Sequence, residues 1–117
     1  MPDPTIWAQA KAEIQRRGWH QGSYVRWDTS AEYAKSLVDG PVCLVGAVNT
    51  AVTDSPDEAA DDVHLRSIGE AVRATGFTSE YGDWVNYVAD WNDVDGRTVD
   101  EVYALLDELD ASERSTP

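Results

Sequence analysis

The chain has 117 residues, enough for one ordinary domain that can bury a core without disulfide or metal staples. Its 22 carboxylates against nine basic groups leave a net charge of −13, a field that repels nucleic-acid phosphate and anionic membrane and attracts basic surfaces. The single cysteine, Cys43, excludes an intramolecular disulfide and disfavours a cysteine-based zinc site. Five Trp and five Tyr supply buriable area and argue for a folded chain despite its charge. The charge is uneven: residues 1–27 carry four basic groups and two acidic ones, whereas the remainder carries five basic groups and twenty carboxylates.

In chain order, Asp3-Pro4 reads as a helix start. Ile6, Trp7, Ala10 and Ile14 follow at helical spacing, Arg16 and Arg17 suit the last turn, and Gly18 suits the stop, which predicts a helix over about 4–17. Residues 18–27 have glycines and aromatics without helical period and read as an ordered loop. Thr29 or Ser30 can cap a short helix through Ala31, Tyr33, Ala34, Leu37 and Val38, ending at Gly40.

The run Val42 to Val48 suits a buried strand by residue type, while its continuation to Val52 suits a buried helix starting at Pro41. No other stretch offers a convincing partner strand, and an isolated strand would leave its backbone groups unpaired, so helix is the reading. Gly46, Ala47 and Ala51 would then admit a neighbouring helix at close range. Ser55-Pro56-Asp57-Glu58 combines a cap, a proline and two acids and predicts a helix running to about Thr75, with Leu65, Ile68 and Val72 inward and Gly76 ending it. Thr78 or Ser79 is expected to begin the next helix, which aligns Trp84, Val88 and Trp91. After the turn 92–96, Thr98 and Glu101 form a capping box, followed by Val99, Val102, Tyr103, Leu106 and Leu109 on one face. Residues after Ala111 lack apolar anchors. The expected organisation is a single all-α domain of about five helices with a Trp-rich core over 1–111 and a frayed tail over 112–117.

No motif compels a chemistry. Asp93-Val-Asp95-Gly96 has the look of a calcium loop, but aligning Gly96 with the invariant glycine places Trp91 and Val102 where the first and last ligands belong, so a helix-capping turn explains it better. Asp61, Asp62 and His64 read as a solvated helix face, since near neighbours on a helix do not converge. Cys43 lies in an apolar run, which suits an inert thiol. Glycine-rich phosphate loops and a nucleophilic serine elbow are absent, and no cofactor or metal is expected. Asp107, Glu108 and Asp110 fall near the negative end of the last helix, where each would cost roughly 0.3–1 kcal/mol if exposed. Such placement favours solubility or a basic partner over helix stability.

One segment has the composition of a binding hot spot: Arg16, Arg17, Trp19, His20, Tyr24, Arg26 and Trp27. The alternative is that Trp19 and Trp27 close the core over the first helix while the arginines pair with the acidic remainder.

The stretches Arg17-Gly18-Trp19-His20-Gln21-Gly22, Val42-Cys43-Leu44-Val45-Gly46-Ala47 and Trp91-Asn92-Asp93, with Gly96-Arg97-Thr98, Glu101-Val102 and Leu105-Leu106 after them, together resemble an uncharacterised domain family of actinobacteria and their phages. The resemblance implies that source and a compact helical fold; it implies no activity, cofactor or catalytic residue. Small acidic phage proteins commonly bind a host protein, so the expectation is a non-catalytic binding factor in the bacterial cytoplasm. Direct nucleic-acid and membrane contacts are not expected, and a homo-oligomer stays open. Two other readings stand beside it. One is a DNA mimic that occupies a nucleic-acid-binding groove; the other is a small metal-dependent hydrolase built from His20, His64, Asp61, Asp93 and Asp95.

Overall fold

The computed structural model describes residues 4–22 and 30–115, with the backbone alone for 30–34. Among the described residues the secondary structure is helical: α1 (Ile6–Arg17), α2 (Ser30–Asp39), α3 (Leu44–Thr53), α4 (Asp62–Arg73), α5 (Trp84–Asn92) and α6 (Val99–Arg114). The only extended pairing described is one parallel bridge between Trp19 and Val42. No helix described is long and apolar enough to cross a membrane.

The apolar run after Pro41 is helical from Leu44 onward, and it forms the middle of the molecule. Every residue from Val42 to Thr50 is buried. α1 packs on α3 and α6, α5 packs on the opposite partners α3 and α4, and α4 also touches α6. Trp7 and Trp91 are in the core, with Trp19 and Trp84 half-buried against it. Three polar side chains inside, Asn49, Thr50 and Asn92, have hydrogen bonds made. That is the condition for burying a carboxamide without a large penalty.

Several helix starts lie elsewhere than the local signals suggest. α1 starts one residue past Thr5, whose Oγ1 accepts from the Ala8 N–H; Asp3 lies outside the described residues, as does Thr29 before α2. α3 starts at Leu44 rather than Pro41, because Cys43 is the cap and its Sγ accepts from the Gly46 N–H. The strongest apparent start, Ser55-Pro56-Asp57-Glu58, is a turn, and α4 begins at Asp62 with Asp61 as cap. Asn49 causes this: its Nδ2 donates to the Pro56 carbonyl at 2.9 Å and its Oδ1 accepts from the Ala60 N–H at 2.8 Å. A helix over 56–60 would consume those backbone groups itself. Thr78 and Ser79 likewise lie within a loop; Asp83 caps α5 and accepts from the Asn86 N–H.

Other local signals hold. Gly18 closes α1 at φ +98°, with its N–H on the Ile14 carbonyl, and Thr98 with Glu101 forms the capping box of α6. α6 runs on to Arg114, whose guanidinium bonds Asp110. Asp107 and Asp110 therefore lie within the helix rather than at its last carbonyls, and both have partners. Asp107 pairs with Lys11 at 2.9 Å, and Asp110 accepts from Thr5 at 2.6 Å. Their expected cost is replaced by a tie between α6 and α1.

Candidate functional site

The seven residues of the aromatic–basic segment divide. Tyr24, Arg26 and Trp27 lie outside the described residues. Arg16 and Arg17 both reach the carbonyl end of α2. The Arg17 side chain is only 3% exposed. It donates to the Leu37 carbonyl at 2.7 Å and the Gly40 carbonyl at 3.3 Å, and its Nε bonds Glu13. Arg16, 50% exposed, bridges Glu13, Asp39 and the Val38 carbonyl. The last carbonyls of a helix lack intrahelical donors and carry partial negative charge, and the two guanidinium groups answer both needs. Contacts with Glu13 and Asp39 raise the Arg16 pKa further above its usual value.

Trp19 and His20 go to a second place, organised by Asn92 at the end of α5. The fully buried Asn92 accepts on Oδ1 from the Trp19 indole N–H at 2.7 Å and from the Leu44 N–H at 3.1 Å. Its Nδ2 donates to the His20 carbonyl and to Asp93. Gln21 donates to the Asn92 and Val94 carbonyls, the Gly22 N–H donates to Asp93 at 2.9 Å, and the His20 N–H donates to the Val42 carbonyl. One carboxamide thus pins the 18–22 stretch, the start of α3 and the end of α5 together. These are the same three stretches that carry the family resemblance.

The open surface with binding character lies farther along the chain, around Tyr81. α4 and α5 approach so closely that a Cβ placed on Gly69 would stand 2.2 Å from the Trp84 ring. Arg73 lies over that ring, 5.1 Å from its centroid. Tyr87 packs edge-on against Phe77 and Trp84, and its hydroxyl donates to the Phe77 carbonyl at 2.7 Å, anchoring the loop before α5. Tyr81, 48% exposed, stands between two grooves. One, of about 370 Å³, runs along α5 and is lined by Gly22, Tyr81, Val85, Asn86, Ala89, Asp90 and Asp93. The other, of about 290 Å³, is lined mainly by Arg73, Phe77, Trp84, Tyr87 and the 78–82 loop. Sequence reasoning missed this surface; its one signal was an aromatic, Tyr81, isolated between Glu80 and Gly82.

Residues 1–111 match the family described as Family of unknown function (DUF6197). The chain belongs to that family. No curated protein and no solved structure matches the chain. Membership carries no residue roles with it.

The five residues with metal or hydrolytic potential divide: Asp61 and His64 lie together at the start of α4, while the His20 backbone and Asp93 meet at Asn92. Asp61 accepts from the His64 N–H at 3.0 Å and from its ring Nδ1 at 2.7 Å, with the imidazole edge-on to Trp7. Those bonds lower the Asp61 pKa, the backbone N–H contributing most. Asp93 faces the Gly22 amide beside Asn92, and Asp95 is exposed in the following turn. Among the described residues, no three His, Cys, Asp or Glu side chains are gathered where they could hold a metal ion. Burial pushes the Cys43 thiol up to about 11, which keeps it protonated and poorly nucleophilic.

Proposed function

We propose that this protein is a non-catalytic acidic binding factor that engages a basic surface on another protein. The observation that carries the reading is where the basic groups of the N-terminal part are committed. Lys11 is held by Asp107, and Arg16 and Arg17 are held by Glu13, Asp39 and the end of α2. The three described basic groups of the N-terminal part are thus used to close the fold, and the carboxylate excess among the described residues faces solvent on α4, α5, α6 and their connecting loops. A net charge of −13 concentrated in this way steers a cationic partner and raises its association rate.

On this reading the chain comes from actinobacteria or their phages and works in the bacterial cytoplasm on a host protein, a source suggested by the resemblance of its sequence stretches. Affinity capture from an actinobacterial lysate at physiological salt, followed by mass spectrometry, should return a saturable protein partner. A blank at that salt, repeated with the tag at the other terminus, would refute the reading. Adding duplex DNA to the capture separates this reading from DNA mimicry, which predicts that DNA displaces the chain from its partner.

A further inference from the structure

Among the described residues, no basic side chain lines the groove along α5. The neighbouring groove contains Arg73. Val85 and Ala89 give it a half-buried apolar floor, one helical turn apart, and Asp90 and Asp93 stand at its far end. Those two carboxylates sit at the last turn of α5 and just past it; α5 itself has no basic residue, and Arg97, which donates to the Trp91 carbonyl at that helix end, is not in the groove lining. Asp93 is held in place by two neutral donors, the Gly22 N–H and the Asn92 amide, both at 2.9 Å, so its direction is fixed. Neither carboxylate forms an ion pair among the described residues. Tyr81 forms the rim with nearly half its surface open.

An apolar floor leading to a fixed pair of carboxylates matches the two-part chemistry of a Lys or Arg side chain, whose stem lies on apolar surface while its head reaches acid. An exposed tyrosine at the edge adds a face for a cation or an apolar neighbour. From this complementarity we infer that the groove between Tyr81 and Asp93 docks a basic peptide segment of a partner protein, with a Lys or Arg directed at Asp90 and Asp93 and an adjacent apolar residue on Val85 and Ala89. The inference rests on the proposed binding function and assigns it a place and a ligand chemistry.

The test uses the whole chain, immobilised, against a displayed library of dodecapeptides at physiological salt. The best enriched peptide is then synthesised and its affinity measured for the wild type, Asp90→Asn, Asp90→Lys and Glu108→Lys. The expected result is enrichment of a Lys or Arg next to an apolar residue. The affinity should fall about threefold with Asp90→Asn and about tenfold or more with Asp90→Lys, since reversing a charge turns attraction into repulsion. Glu108→Lys changes the net charge by the same amount on α6, away from the groove lining, and should cost less than about twofold, because screening confines such effects to about 8 Å. No enrichment, enriched peptides without a basic residue, or equal losses for Asp90→Lys and Glu108→Lys would each overturn the inference. A partner captured from lysate equally well by wild type and Asp90→Lys would also overturn it while leaving the binding function standing.

Discussion

Replacing Asn92 by Ala should be among the most damaging single changes to this fold. The side chain is fully buried and accepts two hydrogen bonds, at 2.7 Å from the Trp19 indole and at 3.1 Å from the Leu44 N–H. Alanine offers neither acceptor, and an orphaned buried donor costs about 1–3 kcal/mol. The Leu44 N–H, deep in the molecule at the first residue of α3, belongs at the upper end of that range; the half-buried indole belongs at the lower end. The His20 carbonyl also loses its donor, so the expected loss is about 3–5 kcal/mol. That is a large share of the stability of an ordinary domain. Urea titration followed by circular dichroism gives the free energy, and amide exchange at Leu44 reports whether the capped end of α3 has opened. A loss below about 1 kcal/mol with the Leu44 amide still protected would refute the role assigned to Asn92.

Three further outcomes follow from the geometry. Arg17→Ala should cost about 2–3 kcal/mol, because it strips a buried charged donor from the α2 carbonyls, whereas half-exposed Arg16→Ala should cost under about 1 kcal/mol; equal losses in thermal melts would contradict this assignment. Gly69→Ala gains up to about 1 kcal/mol of helix propensity but overlaps the Trp84 ring, so a net loss of about 1–2 kcal/mol is expected in urea titration, and a net gain would show that the ring moves freely. Asp61, Asp83, Glu101 and Asp110 all have folded pKa values below their ordinary ones. The largest causes are the His64 N–H, the Asn86 amide, the Thr98 N–H and the Thr5 hydroxyl respectively. Each such carboxylate contributes stability above its unfolded pKa, about 4, and loses it as pH falls through its lower folded value. Melting temperature should therefore drop progressively below about pH 4, and a flat profile from pH 5 to 2.5 would contradict the shifts.

The parts of the fold visible in the sequence are those whose causes are local. The α1 period with Gly18 after it, the box of Thr98 and Glu101, and the turn at Gly96 each depend on residues a few positions apart. The helical state of 44–53 is legible only through a global feature, the lack of a partner strand elsewhere in the chain. Ser55–Glu58 misled because a side chain of α3, Asn49, takes up the backbone groups that a helix there would need. The same limit governs the surface. Arg16 and Arg17 look alike and available in sequence, and only the end of α2, some twenty residues on, shows what they hold. The groove beside Tyr81 arises where α5 meets Gly22, a contact that no pattern within either segment encodes.

The most direct test of a surface that works through its carboxylates is salt. Once a partner has been captured, titration calorimetry at 50 and 300 mM salt should show its affinity for the intact chain falling about tenfold or more, as screening shortens the reach of exposed charges. An affinity unchanged across that range would contradict an electrostatic role for the carboxylate surface.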